Sequence, residues 1–184
     1  MLKKLISITL IVFALTSISA CSKDEDKESK RTVYKTASEF ESGVSDTCSG
    51  LDTTTLNSED PSASETPEEL VIGLGKVEKE LDGFINAFKT IDAPSEYKED
   101  WKTVNTKINA LRENVSQLKT QMNDLIDAQS KIEGITVEAE ALSLQEDIDE
   151  IGRTVDELST EFGTINSEIE TLGTKLNIGS CFGV

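Results

Sequence analysis

The chemistry open to this chain is set by three cysteines, a large excess of carboxylates and the absence of histidine. Of its 184 residues, 35 are Asp or Glu and 18 are Lys or Arg, so the formal net charge is −17. Without histidine there is no imidazole base, no Ser-His-Asp triad and no His-ligated zinc. So acidic a chain is also poorly suited to binding nucleic acid, whose phosphates attract basic surfaces. We therefore expect no catalytic residue, no cofactor and no nucleic-acid partner.

One acidic segment partly fits a calcium-binding loop but lacks its essential ligands. A loop that begins at Asp147 would have Ile151 at its fifth position and Leu158 at its twelfth, where oxygen ligands are needed. The other carboxylates fit solvated helix faces, and none stands out as a buried acid–base pair. We therefore expect no metal site.

The first cysteine ends an apolar leader. A basic start is followed by an apolar run over residues 5–15 and by the tetrapeptide Ile-Ser-Ala-Cys, which ends at Cys21. This order is typical of an export signal, and the run is too short to span a bilayer. The tetrapeptide resembles the lipobox of bacterial lipoproteins. The resemblance implies that residues 1–20 are a signal peptide that is removed, and that Cys21 carries a diacylglycerol, with its fatty acids (palmitate among them) in the membrane.

The alternative is an ordinary secretory signal with a chance cysteine at its exit. Ser22, directly after the lipidated position, is compatible with the outer membrane if the cell has two membranes. The next residues, up to Arg31, include four acidic and four basic side chains. Such a run cannot bury apolar surface, so we predict that residues 21–31 form a disordered tether. Its balanced charge disfavours the alternative of a basic patch that binds lipid.

The other two cysteines are read through the same export signal. In an oxidising compartment, Cys48 and Cys181 are expected to form a disulfide bond. An intermolecular bond and free thiols are the alternatives. A redox-active pair is disfavoured, because the chain has no Cys-x-x-Cys spacing.

Two long apolar heptad patterns dominate the rest of the chain. From Tyr97 to Ile132 and from Val137 to Leu176, apolar residues recur at alternating spacings of four and three, and Gln129 is the one polar member. This pattern predicts two coiled-coil-like helices, at about 94–133 and 137–176. The short turn between them, with Gly134 and Thr136 as cap residues, makes them antiparallel.

Two further helices complete the predicted bundle. Thr66 is a good N-cap and Pro67 a good first helical residue, so a helix is predicted over about 67–92. A shorter helix is predicted over about 32–49, and the polar stretch 50–66 is a linker. The predicted fold is therefore all-α, an elongated antiparallel bundle of three to four helices over residues 32–184. Three glycines of the last helix each follow an apolar heptad residue, so we expect close approach by another helix there; local bending is the alternative.

These features predict a non-enzymatic, extracytoplasmic protein that is anchored to the bacterial cell membrane through Cys21. Its helical part resembles small helical envelope lipoproteins, and that likeness adds no site residues. We expect a spacer, adaptor or surface-binding module that acts through a helical face, with an envelope protein as its partner. The alternative is an extracytoplasmic ligand- or cation-binding lipoprotein. We expect a monomer, because both turns reverse the chain; a dimer or trimer of long coils is the alternative.

Overall fold

A computed structural model of the chain describes residues 31–51, 66–132 and 138–182. Four helices make up most of this part of the chain. They are α1 (Ala37–Ser49), α2 (Pro67–Phe88), α3 (Lys98–Ile132) and α4 (Glu138–Lys175). Two short strands, β1 (Thr32–Val33) and β2 (Ile91–Asp92), pair in parallel, and a 3-10 turn (Gly179–Cys181) follows α4. The predicted all-α bundle is confirmed.

The two longest helices form the antiparallel hairpin that their heptads predict. α3 has 35 residues and α4 has 38, so each extends for more than about 50 Å. Charged and polar pairs follow the edge of this contact at one register: Lys175 bonds to Asp100, and Lys107 bonds to Glu168. The turn predicted between the helices, at residues 133–136, lies outside the described residues.

α2 packs along the opposite edge of α3. The Thr66 hydroxyl accepts a hydrogen bond from the Glu69 backbone N–H at 3.3 Å, and Pro67 opens the helix, which confirms the predicted start. Arg112 and Lys119 of α3 bond to Glu78 of α2. Within the described ranges, α2 and α4 each pack closely along α3 but approach each other at few points.

Three predicted helix boundaries are wrong at one end of the bundle. α1 begins at Ala37 and not near residue 32, α2 ends at Phe88 and not near 92, and α3 begins at Lys98 and not at 94. The residues left out of these helices form β1, β2 and a turn. The indole of Trp101 donates a hydrogen bond to the Ile91 carbonyl at 3.1 Å, which holds β2 in an extended conformation. Tertiary contacts therefore override the helical periodicity here.

The chain turns sharply after α4. Asn177 has a positive φ of 56°, and the Ile178 N–H bonds back to the Gly173 carbonyl at 2.9 Å. This left-handed ending directs the last described residues back onto the bundle. Phe182 lies against Gly173, where an added Cβ would come within 2.6 Å of its ring. Gly173 is therefore required for this close approach, although its partner is the C-terminal segment and not another helix.

Candidate functional site

The disulfide bond closes one end of the bundle. Cys48, in the last turn of α1, is bonded to Cys181, and their Cα atoms are 5.4 Å apart. The two cysteines are 1% and 4% exposed, so the bond is inside the core. The predicted pairing is confirmed, and it ties α1 to the segment after α4. We call this end, where α1, β1, β2 and residues 176–182 meet, the closed end.

Aromatic rings fill the closed end. Phe40 of α1 is fully buried and its ring contacts Tyr97 and Trp101, at centroid distances of 5.6 and 5.2 Å. Phe88 contacts Trp101 and Phe182. Trp101 is 5% exposed, so it packs inside the core. Nothing in this cluster forms a chemically reactive site.

Tyr97 is half-buried at the edge of this cluster. Its hydroxyl donates a hydrogen bond to the Glu41 carboxylate at 3.1 Å, and the other Glu41 oxygen accepts one from Asn177 at 2.9 Å. The hydrogen bond to Glu41 is the main cause that raises the pKa of Tyr97 above its ordinary value, and the negative charge of that carboxylate adds to it. The contact links α1, α3 and the end of α4.

A cluster of charges joins α2 to α3 near the middle of the bundle. The Glu78 side chain is 15% exposed, accepts a hydrogen bond from Lys119 at 3.1 Å and forms an ion pair with Arg112 at 3.2 Å. Arg112 also bonds to Asp82 at 3.1 Å. The hydrogen bond from Lys119 lowers the pKa of Glu78, which the two positive charges reinforce and partial burial opposes. Because each charge has an opposite partner, this cluster fixes the α2–α3 contact and has no vacant ligand position.

Asn114 is a buried polar residue between α3 and α4, at 4% exposure. Its side-chain N–H donates to the Leu158 carbonyl at 3.1 Å and approaches Glu161 at 3.5 Å. Its Oδ1 atom has no hydrogen-bond partner in the described part of the chain. The hydrophobic core consists of two clusters that meet near Asn114. Val115 belongs to the cluster of the closed end, and Leu118 belongs to a second cluster, nearer the end of α3.

The half of the bundle around this second cluster is less well covered. Its apolar residues include several that are only partly buried: Leu70, Val71, Leu74, Leu144 and Ile151. Leu142 and Ile72 are 63% and 61% exposed. We call this half, from Asn114 to the end of α3 at Ile132, the hairpin end.

One flank of α4 shows the change along its length. This flank is turned away from the ion pairs with α3, and its residues recur every seven positions. Ser159 and Asn166, toward the closed end, are 8% and 7% exposed. Gly152 is half-buried and Gln145 is exposed. The same flank is therefore covered near the closed end and uncovered at the hairpin end.

Space is left beside glycines on both helices at the hairpin end. A Cβ added at Gly152 of α4, or at Gly73 of α2, would meet no atom of residues 31–51, 66–132 or 138–182 within 4 Å. Gly73 lies on the side of α2 that is turned away from Glu78 and its bonds to α3. The close approach expected at Gly152 is therefore absent among the described residues, and Gly163 is exposed. We call the surface made by the following residues the open flank: Leu70, Gly73, Leu74, Leu142, Gln145 and Gly152.

The open flank could not be predicted from the sequence, because the heptad pattern continues through it without change. One residue could have indicated it: Leu142 is a large apolar side chain that lies one position outside the predicted heptad pattern of α4. Of the predicted site residues, Cys48 and Cys181 are joined, whereas Cys21 and its lipobox lie outside the described residues. Across 31–51, 66–132 and 138–182, no group of His, Cys, Asp and Glu is placed to hold a metal ion. In the same ranges no helix has the length and hydropathy to cross a membrane.

No protein-family model, no curated protein and no solved structure matches this chain. The described residues form a closed end with a buried disulfide bond and, at the hairpin end, an apolar surface that is partly uncovered. A partly uncovered apolar surface held by such a bundle can bind another molecule.

Proposed function

We propose that this protein is a lipid-anchored envelope protein that acts as a non-enzymatic binding module. Its lipobox-like tetrapeptide would place a diacylglycerol on Cys21, ten residues before the first described residue. Two or more acyl chains are sufficient for stable attachment to a bilayer. Residues 22–30 would then act as the tether between the membrane and the helices.

The observation that carries the proposal is the end at which the chain enters the bundle. Arg31 and β1 lie at the closed end, where Arg31 bonds to Asp92 at 3.2 Å and β1 pairs with β2. α3 has 35 residues, so the hairpin end is about 50 Å from this entry point. A membrane anchor attached before Arg31 would hold the closed end near the lipid and present the hairpin end outward.

The division of the bundle fits this arrangement. The end nearest the membrane would be the one that the disulfide and the aromatic cluster make rigid. The end turned outward would be the one with exposed apolar side chains, which on a protein surface commonly mark a site of interaction. The excess of negative charge would keep the helices away from anionic lipid headgroups.

Attachment is tested by labelling cells that express the full chain with radioactive palmitate, followed by membrane fractionation. We expect the label and the membrane association to disappear in Cys21→Ser. The matched control is the double variant Cys48→Ser/Cys181→Ser, which should keep the label. Unlabelled native protein, or a labelled Cys21→Ser variant, would contradict the proposal.

Orientation is tested by energy transfer from a dye on the protein to an acceptor in the bilayer. Ser130 and Ser95 are both exposed, Ser130 near the end of α3 and Ser95 in the turn before α3. A dye on Ser95→Cys should be strongly quenched by the membrane acceptor, and a dye on Ser130→Cys weakly. Equal quenching at both positions would contradict the outward presentation of the hairpin end.

A further inference from the structure

We propose that the open flank is a docking site for one amphipathic helix of a partner protein, with apolar anchors and basic residues along one edge. This inference rests on the proposed function, because it names the face and the kind of partner through which the anchored module would bind. It is carried by the shape of the uncovered surface and by the distribution of charge beside it.

The shape is that of a missing fourth helix. α1 has 13 residues and packs only at the closed end, whereas α3 and α4 continue for more than twice that length. Phe182 fills the space beside Gly173, but the space beside Gly73 and Gly152 is empty of described atoms. A helix laid there could extend for between four and five turns, about 25 Å, between the levels of Leu142 and Ser159.

The side chains that line the open flank offer apolar contacts to a bound helix. Leu70 and Leu74 of α2 are half-buried, and Leu142 of α4 is 63% exposed. An amphipathic helix in a groove presents apolar residues at spacings of three and four, which would cover these side chains. Because both walls carry glycine, large apolar side chains of the partner could enter between them.

The charged residues beside the open flank indicate which charges the partner helix should carry along its edge. Along α4 the open flank is bordered by exposed acidic residues at Glu146, Asp149 and Asp156. The exposed Arg153 lies among them, and the α2 border carries the exposed Lys76 and Glu69. A helix with lysine or arginine along its α4-facing edge would complement this arrangement. A second copy of the chain would bring like charges together across the contact, which is unfavourable.

The test uses the chain from Ser22 onward, which retains every described residue, and three synthetic peptides of three heptads each. The first has leucine at both core positions of each heptad and lysine along one edge. The second has glutamate in place of lysine, and the third is a scrambled form of the first. By titration calorimetry we expect the first to bind with one-to-one stoichiometry, and the other two to bind at least about tenfold more weakly.

Two substitutions separate docking in the open flank from general attraction to an acidic protein. Gly152→Leu fills the empty space, leaves the charge unchanged and removes an unfavourable residue from a helix interior, so the fold should be retained. We expect it to weaken binding of the lysine peptide at least about tenfold, and Gly73→Leu to do the same from α2. Thr160→Leu adds the same side chain to an exposed position of α4 and should leave binding unchanged.

Wild-type affinity in Gly152→Leu, or equal binding of the scrambled peptide, would overturn the docking assignment. So would sedimentation showing a dimer of the wild-type chain that Gly152→Leu disrupts, because a second copy would then cover the flank. Loss of the docking result leaves the palmitate and energy-transfer results untouched. The anchored-module proposal and this inference can therefore fail separately.

Discussion

The closed end and the hairpin end are built from the same heptads but are stabilised in different ways. At the closed end, four chain segments converge: α1, β1, β2 and residues 176–182. Its most buried residues include Phe40, Phe88 and Leu176, each fully buried. At the hairpin end, three helices contribute and several of their apolar residues stay half-exposed.

The difference teaches that a heptad specifies a contact face but not how completely that face is covered. A contact between two helices is open to water on both sides, so a third and a fourth element must pack against it to exclude water. At the closed end, the disulfide brings α1 to that position. Buried apolar area, and with it stability, should therefore be concentrated at the closed end, while the hairpin end keeps surface available for binding.

The largest expected effect comes from removing the disulfide bond. Cys48 and Cys181 are 133 residues apart in sequence, and closing a loop of that size stabilises a fold by roughly 4–5 kcal/mol in the chain-entropy model. We expect Cys48→Ala/Cys181→Ala to lower the free energy of unfolding by about this amount. Urea denaturation followed by circular dichroism measures it.

Reduction of the wild-type chain should reproduce this loss, and reductant should have no effect on the double alanine variant. Hydrogen exchange then locates the effect. Amides of α1 should lose protection, whereas those of α4 between Leu142 and Ser159 should change little. Equal loss of protection in both halves would contradict the division of the bundle into two differently stabilised ends.

A matched pair of leucine truncations compares the two ends directly. Leu176 is fully buried at the closed end, whereas Leu144 is half-exposed at the hairpin end. Leu176→Ala should cost about 3–4 kcal/mol, because it leaves a cavity in a well-packed core, and Leu144→Ala about 1 kcal/mol. Denaturant titrations of both variants measure the difference. Equal costs would show that the hairpin end is as closely packed as the closed end.

Most of the fold could be predicted from the sequence because its signals are local or periodic. The heptads identify α3 and α4 over most of their length, and Thr66 with Pro67 identifies the start of α2. The disulfide bond could be predicted because two cysteines remain once Cys21 is predicted to carry the lipid. Each of these inferences needs only nearby residues or a simple count.

The features that were missed depend on contacts between distant residues. β1 and β2 have two residues each, which is too short for a periodic signal. They pair because the first described residues of the chain lie beside Ile91. The left-handed Asn177 and the return of Phe182 to the core have no periodic pattern either. The open flank was missed for the opposite reason: its residues carry the same pattern as the covered part of the bundle.

A smaller effect is expected from the charged cluster that joins α2 to α3. Glu78→Gln should lower the free energy of unfolding by about 1 kcal/mol at neutral pH, because a carboxylate with two cationic partners is lost. Since the folded pKa of Glu78 is lowered, the wild-type advantage should be full above pH 4.5 and decline as pH falls through the folded pKa. Urea titrations of both proteins across this range measure it.

Glu113 provides the control for this prediction, because it is an exposed carboxylate on α3. Glu113→Gln should change stability by no more than a few tenths of a kcal/mol. An advantage of wild type over Glu78→Gln that persisted unchanged in strong acid would show that packing of the side chain, and not its charge, makes the contribution.

The smallest effect is expected at the edge of the closed end, at Tyr97. The Tyr97 hydroxyl donates to Glu41, and its pKa is raised because the neutral phenol is favoured beside that carboxylate. A raised folded pKa means that the stabilisation is full below the unfolded value near 10 and is lost as pH rises through the folded value. Comparison with Tyr97→Phe isolates this contribution, since the two proteins differ only in this hydroxyl group. The two unfolding curves should differ at neutral pH and converge in alkali, and a difference that instead grew with pH would mean that ionised Tyr97 is the favoured form.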